Sequence, residues 1–229
     1  MISLKLDSGT PSERRVYALE EQQRYINEMR SLGIEIKSRN DSEYARVVHE
    51  LLNAIAPMNA RGVNKERIGG EGDGGYVMLE NQHETEKNLI LQMDIEGAEW
   101  DVFDELTEDD LLRFSQIIVE LHGAQPPRLY KYALLNKIRR KLTSIYSKYA
   151  LLNKIRRTHT PVHVHYNNIA TPLLSLKNDL FVADIIEISY ARTQDYIFEP
   201  CADYFPTPLD RPNVAHRPEI PIGYFNLAE

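Results

Sequence analysis

Apolar positions along the chain switch between a helical and an alternating period, and the switches divide it into elements. Residues 10 to 31 place Val16, Leu19, Tyr25 and Met29 on a loose helical stripe, with a cap at Thr10 or Ser12 and Pro11 suited to the first turn. A second helix is predicted from about Ser42 to Ala56, where Tyr44, Val47, Val48, Leu51, Leu52 and Ile55 fall at helical spacing before Pro57. These two helices predict an amino-terminal cap over residues 1–60 on a main domain spanning residues 61–229.

The main domain reads as strands with helices between them. Asn88 to Leu106, NLILQMDIEGAEWDVFDEL, starts with Leu89, Ile90, Leu91 and Met93, which suit a parallel strand covered on both faces. Gly97 allows a tight exit into a helix packed through Trp100, Val102, Phe103 and Leu106, and the helical pattern continues over residues 102 to 114. Further strands are predicted at Gln116–Leu121, Val162–Tyr166 and Asp184–Tyr190. From Tyr196 onward the chain is proline-rich and is expected to wrap the domain as irregular or extended chain without adding core.

RIGGEGDGGYVML, residues 67 to 79, has five glycines between Gly69 and Gly75. Unhindered backbone amides in such a loop can cradle an anion. This loop, however, leads into Tyr76, Val77 and Met78, a strand-like run, and a phosphate loop should enter a helix; a tight turn before a strand is the competing reading.

One decapeptide is duplicated. KYALLNKIRR occurs at 131–140 and again at 148–157, an offset of 17 residues. Leu135, Ile138, Leu142, Ile145, Tyr149 and Leu152 form an apolar stripe spaced alternately by three and four, so the segment reads as one long basic amphipathic helix or as a helix broken near Thr143 to Ser147. Residues 131–157 carry nine Lys or Arg and no acid, which leaves 18 of the 27 basic side chains against all 34 acidic ones elsewhere. The formal charge of −7 therefore combines +9 in this insertion with −16 in the rest, an asymmetry that suits an anionic partner or a solvated face. Tyr132, Tyr146 and Tyr149 interleave with the cations, yet the acidity of the remaining chain argues against nucleic acid.

Composition narrows the class. The 229 residues suffice for one domain with an appendage, and 42% hydrophobic content is ordinary for a globule. No apolar run approaches the roughly 20 residues of a membrane-spanning helix. MISLKLDSGTPSERR lacks a signal peptide's apolar core, so a cytoplasmic location is expected; the single cysteine, Cys201, fits a reducing compartment.

The candidate chemistry gathers at strand ends: Asp94 with Glu96 and Glu99, Glu120 with His122, His163 with His165, and Glu187. Ligands bind beyond the carboxyl ends of strands in open α/β sheets, which is where Asp94 falls. Alternation puts Glu120 and His122 on one face of their strand, and His163 and His165 on one face of theirs. Such a cluster could hold a divalent metal through Asp94, Glu120 and His122, or supply a general base to a hydroxyl substrate; structural histidines and a solvated acidic helix start are the alternatives.

Taken in order, RIGGEGDGGYVML, NLILQMDIEGAEWDVF, FSQIIVELHG, VHVHYNN, DIIEISYART and the tail motif LDRPN followed by PEI resemble segments of the FkbM-type S-adenosylmethionine-dependent methyltransferases. The resemblance runs from Arg67 to Ile222, with DIEGAEW its most specific motif. It implies an α/β fold with a Rossmann-like methyltransferase sheet and methyl transfer to oxygen on a sugar, lipid or secondary-metabolite acceptor. Asp94, Glu120, His122 and His165 would surround the acceptor, and Asp94, Glu96, Gly97, Asp73 and Gly74 would contact S-adenosylmethionine.

The chain departs from that pattern in one place. The family follows its glycine-rich turn with a strand, a nucleotide-contacting Gly loop, a helix and a second strand, whereas only the nine residues Leu79 to Lys87 separate Met78 from Asn88 here. A strand–helix–strand unit takes roughly 30 residues, so the sheet is expected to be incomplete on its donor side. A degenerate enzyme, a homo-oligomer that completes the donor site from a second subunit, and a noncatalytic interaction protein using the basic helix 131–157 through Arg139, Arg140, Arg156 and Arg157 all follow from that gap.

Overall fold

The computed structural model describes residues 9–61, 88–125 and 148–225. The glycine-rich turn with Asp73 and Gly74, the short linker after Met78, and the first copy of the duplicated decapeptide lie outside the described residues.

Local capping chemistry sets the first helices. Helix α1 (Pro11–Ser31) starts at a capping box: Thr10 Oγ1 accepts the Glu13 amide, and the Glu13 carboxylate accepts the Thr10 amide. Its buried face is Ala18, Gln22, Tyr25 and Met29, which corrects the expected stripe; Val16 and Leu19 are 56% and 40% exposed. A buried polar residue misdirected the pattern, because Gln22 Nε2 reaches the Asp179 carbonyl while Tyr25 packs edge-on against Phe181. After strand β1 (Lys37–Arg39), helix α2 (Ser42–Ile55) begins at Asp41, whose carboxylate accepts the Tyr44 amide at 2.7 Å. It buries Tyr44, Val47, Val48, Leu51 and Ile55.

Strands β2 (Met58–Arg61) and β3 (Leu89–Met93) follow. The expected helix over 102 to 114 is two helices, α3 (Glu99–Glu105) and α4 (Glu108–Leu111). Thr107 divides them by capping α4, its hydroxyl accepting the Asp110 amide at 3.1 Å. The remaining strands are β4 (Phe114–Leu121), β5 (His159–Tyr166), β6 (Leu173–Ser175), β7 (Leu180–Val182), β8 (Ile186–Arg192), β9 (Ile197–Pro200), β10 (Tyr204–Phe205) and β11 (Gly223–Tyr224).

The architecture is mixed α/β with several open sheets. The principal sheet has the order β3-β4-β8-β5: β3 runs parallel to β4, and β8 is antiparallel to both β4 and β5. Among the described residues β3 is an edge strand. Leu91 and Met93 are buried but Ile90 is 56% exposed, so the strand is not covered on both faces as expected. Smaller sheets have the order β1-β6-β7, or pair β2 with β9 and β10 with β11.

One hydrophobic cluster joins these layers. Tyr25, Met29, Tyr44 and Val48 of the first two helices belong to the same cluster as Ile117, Val119, Val164, Ile186 and Ile188 of the sheet. The proline-rich tail also enters it through Cys201, Phe205, Ile220 and Ile222, a correction to the expectation that the tail adds no core. Irregular backbone there carries apolar anchors that no periodicity announces.

The second copy of the decapeptide is helical over residues 148–155 and buries Tyr149, Leu152 and Ile155. Its cations are used internally. Lys148 Nζ donates to the Gly123 carbonyl at 2.8 Å, Lys154 Nζ to the carbonyls of Phe103 and Asp104, Arg156 to the Asn53 carbonyl, and Arg157 pairs with Glu108. Among the described residues, no helix is long and apolar enough to cross a membrane.

Candidate functional site

Parallel pairing of β3 with β4 brings their carboxyl ends together, with Met93 opposite Val119. Asp94 follows the last residue of β3, Glu120 lies near the end of β4, and His122 is the first residue after it. Their ligand atoms all lie within 4.8 Å of one another. His122 Nε2 stands 3.9 Å from Asp94 Oδ1, 3.5 Å from Glu120 Oε1 and 3.4 Å from Glu96 Oε2. Glu96 reaches in from the solvent, its side chain 85% exposed.

The turn from β3 into α3 is held by one carboxylate. Glu96 and Gly97 adopt φ of 57° and 108°, left-handed values that suit the glycine and would strain most residues at 96. Glu99, fully buried at the start of α3, gathers this turn: its Oε1 accepts the amides of Ile95 at 2.9 Å and Gly97 at 3.1 Å and lies 3.0 Å from His122 Nδ1. Burial alone would raise the Glu99 carboxyl, but these hydrogen bonds hold it below the usual carboxylate value.

His122 is fixed from behind as well. Trp100 Nε1 donates to its carbonyl at 2.6 Å. Lys148 lies 4.8 Å over the Trp100 ring while bonding the next carbonyl, that of Gly123. Gly123 has φ of 66°, and a Cβ there would meet Lys148 Nζ at 3.0 Å. The second copy of the decapeptide therefore buttresses the loop that carries His122.

A second set of charges adjoins the first. Glu187 of β8 lies opposite Glu120 of β4 on one side and His165 of β5 on the other. Burial, with Glu187 and Asp94 as like-charged neighbours, pushes the Glu120 carboxyl up to about 7, although Asn167 Nδ2 donates to it at 3.2 Å. Asp94 is raised too, by burial foremost. His165 is buried with both ring nitrogens committed, Nδ1 to Glu187 at 3.3 Å and Nε2 to Glu219 at 3.0 Å. Burial opposes its charge, but the two carboxylates outweigh burial and raise the ring to about 10. Glu187 is correspondingly lowered despite its burial, by His165 and by Asn213 at 3.0 Å.

The structure thus brings Asp94, Glu96, Glu120 and His122 together and sets Gly97 in the turn beneath them. His165, expected to face an acceptor, has its two ring nitrogens bonded to Glu187 and Glu219. His163 goes elsewhere, bonding Asp210 at 2.8 Å. Glu219, Asn213 and Asp210 from the tail and Asn167 after β5 were missed as site residues. The NN of VHVHYNN and the tail motifs LDRPN and PEI contain all four, so their letters were on view while their proximity was not.

Chemically, the Asp94–Glu120–His122 face offers two carboxylate oxygens and one imidazole nitrogen on one side of a point open to solvent past Glu96. That donor set fits a divalent cation with open positions for oxygen ligands. No family model, curated protein or solved structure matches the chain.

Proposed function

We propose that this chain is the acceptor half of a methyltransferase-like protein, binding a sugar, lipid or secondary-metabolite hydroxyl beside a divalent cation held by Asp94, Glu120 and His122. The observation that carries the reading is the convergence of these three side chains at the carboxyl ends of two adjacent parallel strands. The DIEGAEW and ELHG motifs of the FkbM resemblance supply the same residues. Burial first and then the neighbouring carboxylates raise the Glu120 carboxyl, and a cation at this point relieves the crowding of negative charge. When bound, such an ion polarises a coordinated hydroxyl.

S-adenosylmethionine is the donor implied by the resemblance, and Asp73 and Gly74, assigned to it there, lie outside the described residues. Among the described residues the principal sheet ends at β3, whose Ile90 is exposed, and no strand, Gly loop and helix lie beyond that edge. The reading is therefore of an acceptor-binding protein related to O-methyltransferases, with methyl transfer dependent on a donor site that the described residues do not complete.

Isothermal titration separates the parts. Mn2+ is expected to bind the wild-type protein and to bind Asp94→Asn at least tenfold more weakly, while S-adenosylmethionine at millimolar concentration gives no heat. Tight donor binding would show a complete enzyme, and a wild type indifferent to Mn2+ would remove the cation from the proposal.

A further inference from the structure

We infer that Glu99 is the positioning residue that makes His122 an Nε2 ligand, and that the site consequently takes a first-row transition ion in preference to Mg2+ or Ca2+. This rests on the cation reading above and adds the tautomer, the residue that sets it and the class of ion.

The geometry around Glu99 Oε1 leaves little choice. An ionised carboxylate only accepts hydrogen bonds, so the 3.0 Å contact with His122 Nδ1 requires the hydrogen to sit on Nδ1. The same oxygen receives the Ile95 and Gly97 amides, and the carboxylate cannot turn away without releasing both. Whenever the imidazole is neutral, Nε2 is then a bare lone pair. It faces Asp94, Glu96 and Glu120 carboxyl oxygens at 3.4–3.9 Å, acceptors whenever those groups are ionised. Acceptors facing one another in a partly buried place are costly, and a cation among them turns each into a ligand. A carboxylate behind a histidine that presents its other nitrogen is a recurring way of orienting metal ligands, and loss of such a partner typically lowers metal affinity about 10–100-fold. Trp100 holds the His122 carbonyl and Lys148 the next one, that of Gly123, so the ring has a fixed origin as well as a fixed tautomer.

The ion class follows from the donors. Oxygen-only sites suit Mg2+ and Ca2+, whereas an imidazole committed by its neighbour to presenting Nε2 favours the more polarisable transition ions.

The test uses the purified full chain with Co2+, Zn2+ and Mg2+ as single added ions. Wild type is expected to bind Co2+ at least 100-fold more tightly than Mg2+, and Zn2+ should shift the His122 Nε2 resonance in 15N spectra while Nδ1 keeps its proton. Glu99→Gln should weaken Co2+ at least tenfold and leave Mg2+ within about threefold, a split that loosened packing would not produce. His122→Gln should erase the preference for Co2+. Equal Co2+ affinity in Glu99→Gln and wild type overturns the role of Glu99 while leaving the cation reading intact. Coordination through Nδ1, or Mg2+ bound as tightly as Co2+, does the same, and it is read on wild type even where Glu99→Gln fails to fold. A wild type that binds none of the three ions overturns both readings.

Discussion

Glu120 and Glu187 lie directly opposite each other on the antiparallel strands β4 and β8, two carboxylates in register at the heart of the site. Glu187 is hydrogen-bonded to His165 at 3.3 Å, whereas Glu120 has the His122 ring at 3.5 Å. The asymmetry explains why Glu187 is held low and Glu120 is driven to about 7, burial leading and the facing charge adding to it.

The raised carboxyl makes stability depend on pH in a defined direction. Between 4.5 and about 7 the folded protein keeps a proton on Glu120 that the unfolded chain releases, so its contribution is full below 4.5 and is lost as pH rises through 7. Urea denaturation in a chelator should show wild type losing about 3 kcal/mol relative to Glu120→Gln between pH 4.5 and 8, at 1.36 kcal/mol per unit. Parallel pH profiles for the two proteins would contradict this placement of Glu120. Mn2+ should flatten the wild-type profile alone.

His165 works in the opposite half of the scale. Its ring is raised from 6.5 to about 10, so the pairing with Glu187 and Glu219 stabilises fully below 6.5 and fades as pH rises through 10. His165→Gln leaves two partly buried carboxylates without their cation, and a cost of about 3 kcal/mol at pH 7 is expected. Hydrogen exchange should accelerate in residues 213–219 first, because Glu219 and Asn213 are the tail's ties to this point.

The repeated decapeptide offers a contrast between two of its own cations. Lys148→Met removes a hydrogen bond to Gly123 and the contact with Trp100, and is expected to cost about 1–3 kcal/mol. Arg157→Ala breaks an exposed pair with Glu108 and should change stability by less than about 1 kcal/mol. Thermal melts of the two variants side by side give the ordering; a larger effect at Arg157 contradicts the buttressing role of Lys148.

The rotated face of α1 can be checked by substitution. Met29→Ala, at 1% exposure, should cost about 2–5 kcal/mol, while Val16→Ser should stay within about 0.5 kcal/mol. Comparable losses would restore the stripe that the apolar letters suggest.

Much of this molecule is spelled locally. The runs LILQM, QIIVEL, VHVHY and DIIEISY became β3, β4, β5 and β8 with ends shifted by a few residues, because apolar periodicity is a short-range signal. Asp94, Glu120 and His122 could be singled out for the same reason, since strand ends and alternation are read from neighbours. Glu219 and Asn213 could not, because they reach the site along irregular chain whose direction is set by distant contacts such as Asn168 Nδ2 with the carbonyls of Val214, Arg217 and Pro218. Gln22 misled for a related reason, its burial being secured by a carbonyl 157 residues away.

The place of β8 between β4 and β5 governs how the chain can be assembled during synthesis. β4 and β5 have no edge in common and meet only through a strand that emerges after both. A nascent chain that has reached Tyr166 holds the β3–β4 pair and a β5 strand with no partner yet in the principal sheet, and the two cannot join until residues 186–192 have left the ribosome. Such non-local closure is slow and leaves strand edges open to other chains. Pauses in translation before β8 are therefore the moments of greatest aggregation hazard, and chaperone dependence should concentrate there.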